Sequence, residues 1–185
     1  MTKGNVKHED AQAVAPVVIE QVFAEKPGGG LIANPGYEVK QGTAVYADGT
    51  KFKPIKGYIL NKANVAEDTT MQIVKGSGIK QGDVLGYGKK AVAAGAVDTS
   101  NPDYDVVTIT FGTAIPKGAC LYEASAASAS AAKPKSEAPL YIVGNDVPAG
   151  EGDQPVRLIN GANLRKETAP VAPEVVALMK NINLV

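Results

Sequence analysis

From Val39 onward the chain carries a series of short apolar and alternating segments, the signature of β-strands, the clearest of them with a period of two. Tyr104-Asp-Val-Val-Thr-Ile-Thr-Phe sets Val107, Ile109 and Phe111 on one face and Thr108 and Thr110 on the other. Thr69-Thr-Met-Gln-Ile-Val-Lys does the same with Met71 and Ile73, and Gly57-Tyr-Ile-Leu reads as a short buried strand. Thr43-Ala-Val-Tyr-Ala, Asp48-Gly49 and Thr50-Lys-Phe-Lys predict a hairpin, with Asp48-Gly49 as a type I′ turn. Further strands are expected at 119–122, 140–143 and 155–159. A helical pattern occurs at Pro173-Glu-Val-Val-Ala-Leu-Met-Lys, with Pro in the first turn, and Ile182-Asn-Leu-Val then closes the chain as a strand.

Residues 1–36 read as an N-terminal arm. The first thirteen are polar and aperiodic, and Pro27-Gly-Gly-Gly marks a break. Between them lies Val14-Ala-Pro-Val-Val-Ile-Glu-Gln-Val-Phe, whose large apolar residues Val14, Val17, Val18, Ile19, Val22 and Phe23 have no place in a solvated tail. The arm is expected to be loose when free and to order against a partner. Ser125-Ala-Ala-Ser-Ala-Ser-Ala-Ala-Lys-Pro-Lys buries little and reads as a loop or a short exposed helix.

The chain repeats itself. Lys40-Gln-Gly-Thr-Ala-Val-Tyr matches Pro116-Lys-Gly-Ala-Cys-Leu-Tyr at an offset of 76, and Tyr58-Ile-Leu matches Tyr141-Ile-Val at an offset of 83. At an offset of 85, Asp68, Met71, Ile73, Val74, Gly76 and Ile79 match Asp153, Val156, Leu158, Ile159, Gly161 and Leu164. Three blocks in one order argue for duplication. The expected fold is mainly β: two tandem small β-rich units, tulip- or barrel-like, with an extended N-terminal arm and one short C-terminal helix. The first unit with its linker is assigned to 37–103 and the second to 104–185. Each is short for a core of its own, so the two are expected to pack together or on other subunits.

Composition narrows the function. The chain has 19 basic and 19 acidic residues, which removes the basic surplus that nucleic acid binding requires. No apolar run is long enough to span a membrane, and the first ten residues lack the core of a signal peptide, so synthesis in a cytoplasm is expected. One Cys and one His exclude an internal disulfide and a Cys/His metal site. His8 sits in a polar tail, a poor place for a general base, and Cys120 aligns with the small residue Ala44 as a buried apolar position. Lys75-Gly-Ser-Gly lacks the ending of a phosphate loop, and Asp98, Asp103 and Asp105 lack calcium-loop spacing. No catalytic residue, metal ligand or cofactor site is nominated, and the chain is expected not to be an enzyme.

The run Val45-Tyr-Ala-Asp-Gly-Thr, Gly57-Tyr-Ile-Leu, Ala66-Glu-Asp-Thr-Thr-Met-Gln-Ile-Val-Lys-Gly-Ser-Gly and Gly82-Asp-Val-Leu resembles the head decoration proteins of lambda-like phages. The likeness covers 37–86 and, through the repeat, extends weakly to 113–165. The whole chain is also similar to head-fibre or auxiliary capsid proteins of phages of Bacteroides-type bacteria, crAss-like phages included. The resemblance implies trimers seated on the outer surface of the capsid, with the arm contacting the major capsid protein. Val14, Val17, Val18, Ile19, Val22 and Phe23, with flanking Lys/Glu pairs, are then the expected capsid-binding residues. An alternative is a head-fibre base or adhesive module that binds host or environmental glycans through the Ala/Ser-rich loop and tyrosines. The longer, duplicated chain departs from the lambda pattern.

Overall fold

The structure is a computed structural model describing residues 17–33, 35–150 and 152–185, and among these it is mainly β. The first half carries β1 (Ile19–Glu25), β2 (Gly30–Ile32), β3 (Ala44–Asp48), β4 (Lys51–Ile55), β5 (Gly57–Ile59), β6 (Thr70–Val74), β7 (Val84–Tyr87), β8 (Lys90–Ala93) and β9 (Val97–Asp98). The second half carries β10 (Tyr104–Thr108), β11 (Cys120–Glu123), β12 (Pro139–Val143), β13 (Gln154–Val156), β14 (Leu158–Leu164), the single-turn helix α1 (Pro173–Val176) and β15 (Ile182–Leu184).

One sheet runs β1-β14-β12-β3-β4-β2-β13, with β15 added parallel to β14. Only Arg157 separates β13 from β14, yet they stand near opposite ends of that path. The sheet therefore rolls up into a barrel. Its interior is Ile32, Val39, Val45, Phe52, Val143, Val147, Val156 and Leu158. The sheets β5-β11-β7-β8 and β6-β10-β9, joined by the Leu60–Ile73 bridge, enclose a second core that includes Leu60, Met71, Ile73, Leu85, Val107, Ile109, Ile115 and Leu121.

The two cores correspond position by position. At the offsets of the sequence repeat, Val39 and Val45 of the first match Ile115 and Leu121 of the second. Val143, Val156 and Leu158 of the first match Leu60, Met71 and Ile73 of the second. Each barrel thus takes strands from both halves of the chain. The pairing is reciprocal: Ala44 and Val45 face Ile142 and Tyr141, while Cys120 and Leu121 face Ile59 and Tyr58. Gly42 donates to Val143 O and Gly118 to Leu60 O, both at 2.9 Å. Gly144 donates to Arg157 O at 2.8 Å, and its equivalent Asn61 donates to Gln72 O at 2.9 Å. The units assigned to 37–103 and 104–185 are corrected accordingly. There are two barrels: the second, β5 to β11, is the continuous stretch 57–123, and the first is split around it, with β1 to β4 before it and β12 to β15 after it.

Of the arm assigned to 1–36, residues 1–16 and 34 lie outside the described residues, and the part that is described is corrected. β1 and β2 belong to the fold, and Ile32, fully buried, is the equivalent of Ile109. The hairpin loop is Gly49-Thr50, one residue later than predicted, because Asp48 still pairs with Lys51. Gly49 alone has positive φ there, which excludes the type I′ turn and fits Gly at the first position of type II′. The helix stops at Val176, four residues short of Lys180. The segment around it fills the seam between barrels, where Ala44, Cys120, Ile142 and Ile159 meet Val171, Val175, Val176 and Met179. Burial raises the pKa of the Cys120 thiol, as suits a buried apolar position.

A third copy of one turn appears beside the two expected. Residues 40–43, 80–83 and 116–119 each close by an N–H to carbonyl bond of 3.1–3.2 Å, from Thr43, Asp83 and Ala119. Gly42, Gly82 and Gly118 take φ of 89°, 89° and 79°, the value of the third residue of a type II turn. A Cβ on Gly118 would meet nothing within 4 Å, whereas one on Gly42 would lie 2.6 Å from Val18 Cγ1. Gly118→Ala is expected to cost only the left-handed strain, about 1–2 kcal/mol. Gly42→Ala should cost more, and urea titrations of both variants check the order.

Candidate binding surfaces and a buried charge cluster

β1 divides the six predicted binding residues. Val14 lies outside the described residues. Val18, Ile19 and Val22 are half-buried against the seam core, so they hold the strand to its own barrel. Val17 and Phe23 are 49% and 55% exposed. β1 pairs antiparallel with β14 on one side, and its other edge has no strand partner among the described residues. Three register shifts along β1 interrupt the regular row of edge donors and acceptors, which discourages open-ended sheet growth.

The charges flanking β1 are Arg–Glu pairs in place of the expected Lys/Glu pairs. Arg165 Nη2 lies 2.7 Å from Glu20 Oε1, and Arg157 Nε donates to Glu25 Oε2 at 2.9 Å. The guanidinium hydrogen bond of Arg157 holds the Glu25 carboxyl below the usual carboxylate range. A carboxyl with a lowered folded pKa contributes stability above its unfolded value and loses it as pH falls through the folded one. The β1 clamp is therefore expected to be complete at neutral pH and to open as pH drops below about 4.5, Glu25's ordinary value. Both side chains face solvent, so salt should weaken the effect. Hydrogen exchange of the β1 amides against pH measures this.

A cleft of about 370 Å³ opens beside the start of β1. Its apolar lining comes from Val18, Ile59, Val74 and Pro170. It exists because the barrels differ at one place. Ile142 and Val143 pair with Ile159 and Leu158 in β12 and β14, but their equivalents β5 and β6 share only the Leu60–Ile73 bridge and then part. Gly57 permits the close approach of the 169–170 segment, since a Cβ there would lie 2.1 Å from Pro170 O.

Next to the cleft lies a charge cluster that sequence reasoning missed. Asp83 Oδ2 accepts hydrogen bonds from Lys56 Nζ at 2.7 Å, Lys80 N at 3.0 Å and Tyr58 OH at 3.1 Å. Lys56 Nζ also donates to Gly78 O at 2.9 Å and sits 5.2 Å from the Tyr37 ring centre. Side-chain exposure is 11% for Lys56 and 17% for Asp83. Burial, reinforced by the negative charges of Glu123 and Asp83, raises the pKa of both Tyr37 and Tyr58. A signal for the cluster exists in the sequence. Ile79-Lys-Gln-Gly-Asp-Val-Leu repeats Val39-Lys-Gln-Gly-Thr-Ala-Val with Asp83 in place of Thr43. Thr43 Oγ1 bonds only within its own turn, to Lys40 O at 2.7 Å, whereas Asp83 also reaches β5.

This cluster binds its own members. Three donors converge on one oxygen of Asp83, and Lys56 is spent on two oxygens, which describes a fastening between the third turn and β5. Among the described residues no group of three His, Cys, Asp or Glu could hold a metal. Asp98 and Asn101 each accept from a backbone N–H two residues on, at 2.9 Å, and Asp105 pairs with Lys75 at 2.7 Å. The Ala/Ser-rich loop is pinned to β8 by reciprocal bonds of Ser128 with Ala91, and no tyrosine stands fully exposed. The architecture and surfaces thus define a swapped double-barrel β protein. Compared with known proteins, the chain matches no family model, no curated protein and no solved structure.

Proposed function

We propose that this protein is a non-enzymatic structural component of a phage head, binding the outer surface of the capsid shell through the major capsid protein and stabilising it. The observation that carries the reading is Phe23, 55% exposed on an edge strand that Arg157 and Arg165 clamp to a closed barrel. A large apolar side chain on a rigid strand gives up little entropy when covered, which suits it to anchor a protein interface. The hydrogen bonds of Lys56 and Asp83 to each other, to Gly78 O, to Lys80 N and to Tyr58 OH give the cluster a fastening task within the fold. The words shared with head decoration proteins fall on β3, the β3–β4 turn, β5, β6 and the third turn in the same order. A protein that binds the expanded shell and not its precursor stabilises it by mass action, and many copies, as trimers, multiply the effect.

The adhesive alternative draws little support from the tyrosines, since all seven are buried or half-buried. The test uses heads that lack this protein. Purified chain is added back, and bound copies are counted after sedimentation. Phe23→Ser is expected to weaken binding about tenfold, as for an interface anchor, with little change in melting temperature. Equal occupancy by Phe23→Ser and wild type removes Phe23 from the interface. Failure of the wild type to bind heads at all removes the function.

A further inference from the structure

We propose that the cleft between β5 and β6 binds an uncharged small molecule with an apolar body and a hydroxyl or carbonyl group, and that the hydroxyls of Tyr37 and Ser77 hydrogen-bond that group. The first argument comes from the repeat. In the first barrel the equivalent place is closed, because Ile142 pairs with Ile159 and β14 runs on through Gly161 to Leu164. In the second barrel the equivalents Ile59 and Val74 form no such pair and line the cleft. β6 ends at Val74, and Gly76, the equivalent of Gly161, takes a φ of 88° in a turn. This departure from the repeat leaves a cavity of about 370 Å³, within the roughly 300–1,000 Å³ typical of small-molecule sites.

The second argument is a pair of unmade hydrogen bonds. Tyr37 and Ser77 both line the cleft, and among the described residues the hydroxyl oxygen of each is buried without a hydrogen-bond partner. Such groups have given up water and gained nothing in return, unless an occupant of the cleft supplies the partner. Gly78, with a φ of 65°, lets the turn lie on the Tyr37 ring, where a Cβ would come within 2.4 Å of Tyr37 Cδ2. This sets Ser77 beside Tyr37, so the two open hydroxyls belong to one part of the lining. Burial raises the pKa of Tyr37, which keeps its hydroxyl protonated and able to donate.

The third argument is charge. Lys40 pairs with Glu38, Lys75 with Asp105 and Lys56 with Asp83, each at 2.7 Å, and Asp146 Oδ1 accepts from Gln41 N at 2.6 Å. A charged ligand therefore finds no free counter-charge. A sugar fits no better, since it would press several hydroxyls against Val18, Ile59, Val74 and Pro170 with no partners for them. An uncharged molecule that is mostly apolar covers those four side chains and strands nothing.

The test uses the free full-length chain, so it succeeds or fails apart from the head-binding reading. Hexan-1-ol is titrated into the isotope-labelled protein, with hexanoate and methyl glucoside as the charged and sugar counterparts, and the amide resonances are followed. Hexan-1-ol is expected to give saturable shifts at Ile59, Val74 and Ser77 and to bind about tenfold tighter than either counterpart. The double variant Tyr37→Phe/Ser77→Ala is expected to bind hexan-1-ol about tenfold more weakly with its Tm unchanged or raised, because it removes hydroxyls that bond to nothing in the free protein. Four results would overturn the proposal. Absence of saturable shifts at the cleft leaves it to water. Equal or tighter binding of hexanoate or methyl glucoside refutes the ligand class. Undiminished binding by the double variant removes the two hydroxyls from the site. A fall in its Tm assigns them to the fold.

Discussion

Made separately, residues 1–100 and 101–185 are each expected to stay unfolded, and mixing them is expected to restore the native β spectrum. Each core needs residues from both pieces. Ile32, Val39 and Val45 close on Val143, Val156 and Leu158, while Leu60, Met71 and Ile73 close on Ile109, Ile115 and Leu121. A lone fragment would hold β3 without β12, or β11 without β5, leaving half-barrels with wet apolar faces and unpaired strand edges. The cut falls between two self-contained turn bonds, Ser100 N to Asp98 Oδ1 and Asp103 N to Asn101 Oδ1, so it removes no packing itself. Circular dichroism and urea titration of the fragments, alone and mixed, supply the measurement. A cooperative urea transition from either fragment alone would refute the reciprocal exchange.

Asp83→Ala is expected to destabilise the fold by about 3 kcal/mol, because it strands a nearly buried ammonium and two further donors. Lys56, at 11% side-chain exposure, would keep only Gly78 O, and the hydroxyl of Tyr58 and the amide of Lys80 would lose their acceptor. For a chain of this size that is a fall in Tm of roughly 10 °C. The companion variant Lys56→Met/Asp83→Thr removes both charges and restores the residue type of the equivalent turn at Thr43. Replacing both partners of a buried pair is often close to neutral, so it should recover most of the loss. Calorimetry of the wild type and both variants separates the cases. A loss below about 1 kcal/mol for Asp83→Ala would place the pair among weak surface bridges and free the cluster for another role.

The strands from β3 to β6, from β10 to β14 and at β15, the duplication and the buried Cys120 were legible in the sequence, because each is a matter of period or local identity, whereas β1, β2, β7, β8 and β9 were not read as strands. Val107 and Ile109 alternate with polar residues, and Met71 and Ile73 match Val156 and Leu158, whatever those residues touch. The hairpin was found one residue out of register, because Asp48 and Gly49 mark a turn without saying which pair of residues closes it. The third turn was legible too, in Ile79-Lys-Gln-Gly, but only against a copy whose turn geometry was known.

Which barrel each strand joined was a tertiary decision. Offsets of 76, 83 and 85 are compatible with strands pairing inside a copy or across copies, since both choices bury the same residues. The choice was settled between β4 and β5 and between β11 and β12, where the chain passes from one barrel to the other. The same holds for the leader. Six apolar residues announced a buried segment, but only the pairing of β1 with β14 assigned Val18, Ile19 and Val22 to the chain's own core and left Phe23 outside. Hydrophobic pattern determines that a side chain is to be covered, whereas the partner that covers it depends on strand register and on the path of the backbone in space.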